Sequence, residues 1–188
     1  MISSDAISGL VGVVIGAFIS ILGDEFRQWR EKKRRGHYLA VRVSPLIEKF
    51  IEECADVVED KGIEDKNGVT NGNVADPAEI YLPEDVDWKS IKPSLMQDIV
   101  TLPDRVRKTR QHIAFVLNYV AVPPEWVEFF AVRSRVYLKL GMEAIELVDK
   151  IRKYHRIPQE IPWQGSPTNR LRLESEKDSL RKKQELKS

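Results

Sequence analysis

The side chains that most often do chemistry are few in this chain and stand apart. There are three histidines (His37, His112 and His155) and one cysteine, Cys54. A metal pair on a helix needs ligands three or four residues apart, and no second histidine lies at that spacing from any of the three. The chain has no Walker loop, GxGxxG turn, GxSxG elbow, HExxH pair, CxxC pair or EF-hand loop. His112 would approach Glu48 or Glu52 if the helices that carry them packed together, but one histidine with one carboxylate is a common structural pair. His155 falls at a helix end, where a cation complements the helix dipole. Cys54 sits at an apolar position with no activating base nearby in sequence, so it reads as a small core hydrophobe. The expectation is a non-enzymatic protein with no catalytic, cofactor-binding or metal-binding residue. A single cysteine also excludes an intramolecular disulfide framework.

The elements around these residues begin with an apolar run. Ala6 to Leu22 reads AISGLVGVVIGAFISIL, 17 residues without a charge. At 1.5 Å per residue this rises about 25 Å, the short end of what crosses a hydrocarbon core of roughly 30 Å. Asp24 and Glu25 close it, and Phe26 and Trp29 follow where an interface would lie. This predicts a transmembrane helix. Residues 24–36 then carry Arg27, Arg30, Lys32, Lys33, Arg34 and Arg35, six basic groups against three acidic ones. By the positive-inside rule they place the N-terminus outside and the rest in the cytoplasm, as in a single-pass protein of a bacterial inner membrane. The same six are expected to touch anionic lipid headgroups. Ser8, Gly12, Gly16 and Ser20 recur every fourth residue and predict a packing face between two spans, hence a homo-oligomer.

The remainder reads as helical. Leu39, Val43, Leu46, Phe50, Cys54 and Val57 step by three or four, an amphipathic face interrupted by Pro45, where a kink or break is expected. One long helix, or two joined near Gly36, should stop near Lys61 and Gly62. Residues 61–92 are rich in Gly, Asn and Asp and read as a loop, its first half disordered and its second half docked. Pro93 should open a short helix and Pro103 a long one. The pair Pro123-Pro124 opens the most regular stretch, from about Glu125 to His155, with a face of Trp126, Phe129, Phe130, Val136, Leu140, Ala144, Leu147, Ile151 and Tyr154. Acidic groups cluster late in residues 37–60 and basic groups early in 93–121, so the second long helix is expected to run back along the first. Trp88 and Trp163 are read as anchors for loop segments.

The fold class that follows is all-α. One N-terminal transmembrane helix precedes a cytoplasmic antiparallel bundle of three long helices and one short helix. The expected divisions are 1–23 (external tail and span), 24–36 (basic juxtamembrane segment), 37–155 (bundle, with loop 61–92) and 156–188 (a charged, mobile tail). The implied function is a membrane-anchored scaffold or regulatory protein that presents its helical domain to a cytoplasmic protein partner. The alternatives are a membrane-active, toxin-like or lysis-like effector that oligomerises through its span, and an enzyme with an unrecognised site. A basic stretch held against an anionic surface is badly placed for nucleic acid, so no nucleic-acid partner is expected.

Overall fold

A computed structural model describes residues 4–66, 68–120, 126–158 and 168–185, with backbone alone for residues 4–22, 127, 180, 183 and 184. Helix α1, Ser4–Glu59, is one uninterrupted helix of 56 residues, about 84 Å long at 1.5 Å per residue. Its second half supplies the stripe Leu39, Val43, Ile47, Phe50, Cys54 and Val57, all buried, with Ala40, Ile51, Ala55 and Val58 alongside. Pro45 neither breaks nor ends it. It lies on the exposed side, and the buried stripe continues across it. That burial outweighs the roughly 3 kcal/mol that an interior proline costs.

The helix ends where Asp60 and Gly62 turn the chain. Gly62 takes φ +75°, and its N–H donates to Asp60 Oδ1 at 3.0 Å. A short antiparallel hairpin follows, β1 (Ile63–Glu64) against β2 (Thr70–Asn71), with Ile63 opposite Asn71. The chain then crosses the bundle, burying Ile80, Val86 and Ile91. Trp88 packs partly buried against the core. It lies in a short 3-10 turn capped by the Asp87 carboxylate, which accepts from Lys89 N–H.

Helix α2 runs Pro93–Tyr119. The short helix expected at Pro93 and the long one expected at Pro103 are therefore a single element. Leu95, Ile99, Leu102 and Val106 are buried on both sides of Pro103, and that shared stripe carries the helix through. Helix α3, Val127–His155, starts from Trp126 and stops at Arg156, both in the left-handed region (φ 51° and 55°). Helix α4, Asn169–Glu185, lies against α1 and α3. Among its described side chains only Leu173 is fully buried, and Arg172 bonds Asp56 and Glu59 of α1 at 2.7 Å.

Two expectations are corrected here. The first is the transmembrane helix. Among the described residues no helix is long and apolar enough to cross a membrane. The apolar run is not a separate element with an end at Leu22. Its 17 uncharged residues, diluted by glycine and serine, are the opening of a helix whose ladder continues through the charged segment into the bundle. Its side chains, including the Ser8, Gly12, Gly16 and Ser20 face, lie outside the described ones.

The second correction is the packing order. α3 packs on both α1 and α2, which among the described residues form no comparable contact with each other. The charge clusters on α1 and α2 therefore do not meet. Arg105 pairs with Glu143 of α3, Arg107 and Lys108 with Asp104 of their own helix, and Arg110 with Glu79 of the loop. Exposed ion pairs are too weak to choose helix neighbours. The apolar stripes choose, and that of α3, from Tyr137 to Ile151, is the one packed on both neighbours.

Candidate functional site

The described structure has two chemically distinct ends, set by the direction of α1 and α3. At one end α1 leaves the bundle; at the other it stops and α3 begins.

Every residue from 23 to 35 is exposed. This collar is a helix with almost nothing beside it. At 3.6 residues per turn, Phe26, Trp29, Arg30 and Lys33 share one face, with Arg27 and Arg34 along its border. Asp24 and Glu31 lie on the opposite side, and Glu25 borders the face beside Trp29. The rings of Phe26 and Trp29 stack at 5.9 Å. The Arg30 guanidinium stands 5.9 Å from the Phe26 centroid, and Lys33 Nζ 5.2 Å from that of Trp29. Arg35 turns the other way, donating to Glu31 and to Asp87 of the loop, each at 3.4 Å. The structure thus brings Arg27, Arg30, Lys33 and Arg34 together with two aromatic rings. Lys32 and Arg35 are placed on another side.

The collar meets the bundle at Gly36. A Cβ there would stand 2.7 Å from His155 Cε1 and 3.2 Å from the Ser90 carbonyl oxygen, so only glycine fits without displacement. His37 Nδ1 lies 3.3 Å from the His155 carbonyl oxygen, a donor when protonated. The His155 Nε2 atom is buried without a hydrogen-bond partner. Burial, and secondarily the nearby His37, hold the His155 pKa below the usual histidine value of 6.5.

The far end is built around Arg133, 4% exposed. Its Nη1 donates to Asp60 Oδ2 at 2.9 Å, its Nε to Asp76 Oδ1 at 2.8 Å and its Nη2 to the Val74 carbonyl at 2.5 Å. Asp60 also accepts backbone N–H groups from Gly62, Asn73 and Val74. Desolvation pushes the Asp60 pKa up, but these hydrogen bonds and Arg133 together hold it below the usual carboxylate range. Beside this clasp is a cleft of 440 Å³ lined by Trp126, Phe129, Phe130, Leu117, Asp76 and the β2 residues. The Phe130 ring packs on Gly62, where a Cβ would come within 2.7 Å of Cζ. Arg133 also lies over Phe129, 6.0 Å from its centroid.

Of the isolated chemistry-bearing residues, His37 and His155 meet at the Gly36 joint and the others stay apart. His112 is exposed on α2, and Glu48 pairs instead with Arg152 of α3 at 2.5 Å. Cys54 is buried, and desolvation pushes its thiol pKa far up. Among the described residues no group of three or more His, Cys, Asp or Glu side chains could hold a metal ion. Trp163 lies outside the described residues.

Sequence reasoning missed Arg133, because a charged residue inside a helical stripe reads as solvated. The available signal was position: residue 133 falls one turn before Tyr137 on the apolar side of α3, and both are buried. With the geometry in place, no family model, curated protein or solved structure matches the chain. What the fold and its two ends define is a helical-bundle protein carrying a projecting basic helix.

Proposed function

We propose that this protein is a non-enzymatic scaffold or regulatory subunit. Its collar lies on an anionic lipid surface, and its bundle is presented from there to a protein partner. The observation that carries this reading is the collar face, in which Arg30 and Lys33 stand against two stacked aromatic rings on a bare helix, with Arg27 and Arg34 along one border and Glu25 along the other. Indole and phenyl rings flanked by lysine and arginine suit the headgroup layer, where the ring is half immersed and the charge meets phosphate. Continuity of α1 makes the attachment stiff, since whatever orients residues 23–35 also orients the bundle that begins at Gly36.

Co-sedimentation of the full chain with vesicles tests this. Binding to phosphatidylglycerol-containing vesicles is expected to weaken with added salt and to exceed binding to pure phosphatidylcholine. Each basic residue near such a surface contributes about 1 kcal/mol. Replacing both Arg30 and Lys33 by glutamine should therefore lower the affinity roughly thirtyfold. Binding that ignores lipid charge, or that survives this double substitution unchanged, would rule out the collar as the contact.

A further inference from the structure

We infer that the cleft at the far end of the bundle is a binding site for a small organic ammonium ion. The inference is independent of the collar and uses only what surrounds Arg133. Its volume of 440 Å³ is that of a small-ligand site, within the common range of roughly 300–1,000 Å³.

The sign of the ligand follows from the hydrogen-bond inventory. All three guanidinium nitrogens of Arg133 are already donating, to Asp60, Asp76 and the Val74 carbonyl. Two of its five N–H groups remain, but at 4% exposure the guanidinium is closed off from an anionic ligand, so Arg133 is a positioning residue. Two carboxylates face this single guanidinium, which leaves a surplus of one negative charge. Asp60 is enclosed, with a side chain only 2% exposed, whereas that of Asp76 is 29% exposed. The surplus charge therefore reaches the cleft at Asp76. Tyr137, fully buried one turn along α3, is kept a neutral phenol by burial and by the charge of Asp76, so it adds no charge of its own.

The rest of the wall is aromatic. Trp126, Phe129 and Phe130 line the cleft together with Leu117. Aromatic faces attract a cation through the ring quadrupole, in an open cleft as well as in a closed one. One carboxylate beside several rings is the arrangement that recognises alkylated ammonium groups. The wall is held in advance, because Phe130 is wedged against Gly62 and Trp126 caps α3 in a left-handed conformation.

The test is a titration of the isotope-labelled full chain with choline and with its uncharged tert-butyl analogue, followed at the Trp126 indole N–H. That resonance is assigned with Trp126→Phe. Choline is expected to shift it saturably, and the neutral analogue to need about tenfold more for the same effect. Asp76→Asn should weaken choline binding about tenfold. Because that change also removes an Arg133 partner, Phe129→Leu is measured beside it. This variant leaves every ion pair in place, although it removes the ring over which Arg133 lies, and should weaken choline several-fold without changing the response to the analogue. Phosphatidylcholine vesicles, which offer the same cation on a lipid, should leave the indole unmoved. Equal binding of choline and its analogue, no shift up to about 100 mM choline, or a response to vesicles alone would each overturn the assignment.

Discussion

Residues 23–35 and residues 36–59 belong to one helix and one hydrogen-bond ladder, yet different physics holds each half. The second half buries an apolar stripe from Leu39 to Val58 against α3 and its neighbours. The first half buries nothing and is exposed at every position. Helix nucleation is costly and elongation nearly free. The packed half therefore supplies the nucleus, and the collar extends it through good helix formers, Arg, Lys, Glu and Gln, with Glu31–Arg35 as an i,i+4 pair. What the comparison teaches is that length of helix is no measure of burial. A packed end can project a charged arm that has no core of its own.

The contrast can be broken first at its largest difference. Arg133→Ala strands Asp60 in the buried clasp and should cost the bundle about 3–5 kcal/mol in urea denaturation, because an unpaired buried charge remains. Arg30→Ala on the collar should change stability by less than about 0.5 kcal/mol. Similar values for the two would erase the distinction between the collar and the bundle.

Glycine substitutions sharpen the same boundary. Gly36→Ala forces a Cβ to 2.7 Å from His155 and should destabilise by about 1–3 kcal/mol. Gly23→Ala meets nothing within 4 Å and should stabilise the collar helix by about 0.8 kcal/mol, read as helicity by circular dichroism. The opposite signs are the prediction; equal signs would move the boundary elsewhere.

Removing the ion pairs of α4 is a smaller perturbation. Arg172→Ala leaves Asp56 and Glu59 half exposed rather than buried, so about 1 kcal/mol is expected, with faster amide exchange confined to Asn169–Glu185.

The joint between the halves titrates. The His155 pKa is lower in the folded protein than the ordinary 6.5, so the unfolded chain binds the proton more readily. The contribution of His155 to stability is complete above about pH 6.5 and is lost as pH falls through the folded-state pKa. Denaturation midpoints of the wild type should decline over that interval more than those of His155→Gln. Parallel declines would show that the joint is not the titrating group.

Much of the bundle was legible from apolar spacing. The stripe Leu39, Val43, Phe50, Cys54 and Val57 and the stretch ending at His155 both follow helical period, and both are helices, although Leu46 is exposed and Ile47 takes its place in the core. The prolines misled, because Pro45 and Pro103 act as helix stops only where no stripe runs past them. Helix neighbours were not legible either, since surface charge clusters carry too little energy to select partners. The basic collar could be read from composition, but its separation into a basic-aromatic face and an acid-bearing face needed the helix to be continuous. The Arg133 clasp was hidden for a different reason. Its partners, Asp60 and Asp76, lie 73 and 57 residues away in the chain, and only the turn at Gly62 and the hairpin bring them round. Trp126, Phe129 and Phe130 read as core; Phe129 does pack against it, and all three also line an open cleft.

The claim on which the proposed function rests is that the collar face touches anionic lipid, and quenching of Trp29 tests it most directly. In a chain whose other three tryptophans are replaced by phenylalanine, Trp29 emission should be quenched by phosphatidylglycerol brominated near the headgroup end of its acyl chains. Salt should release it, and phosphatidylcholine brominated at the same position should leave it bright. Emission untouched by the anionic lipid, or quenched equally by both, would contradict the claim.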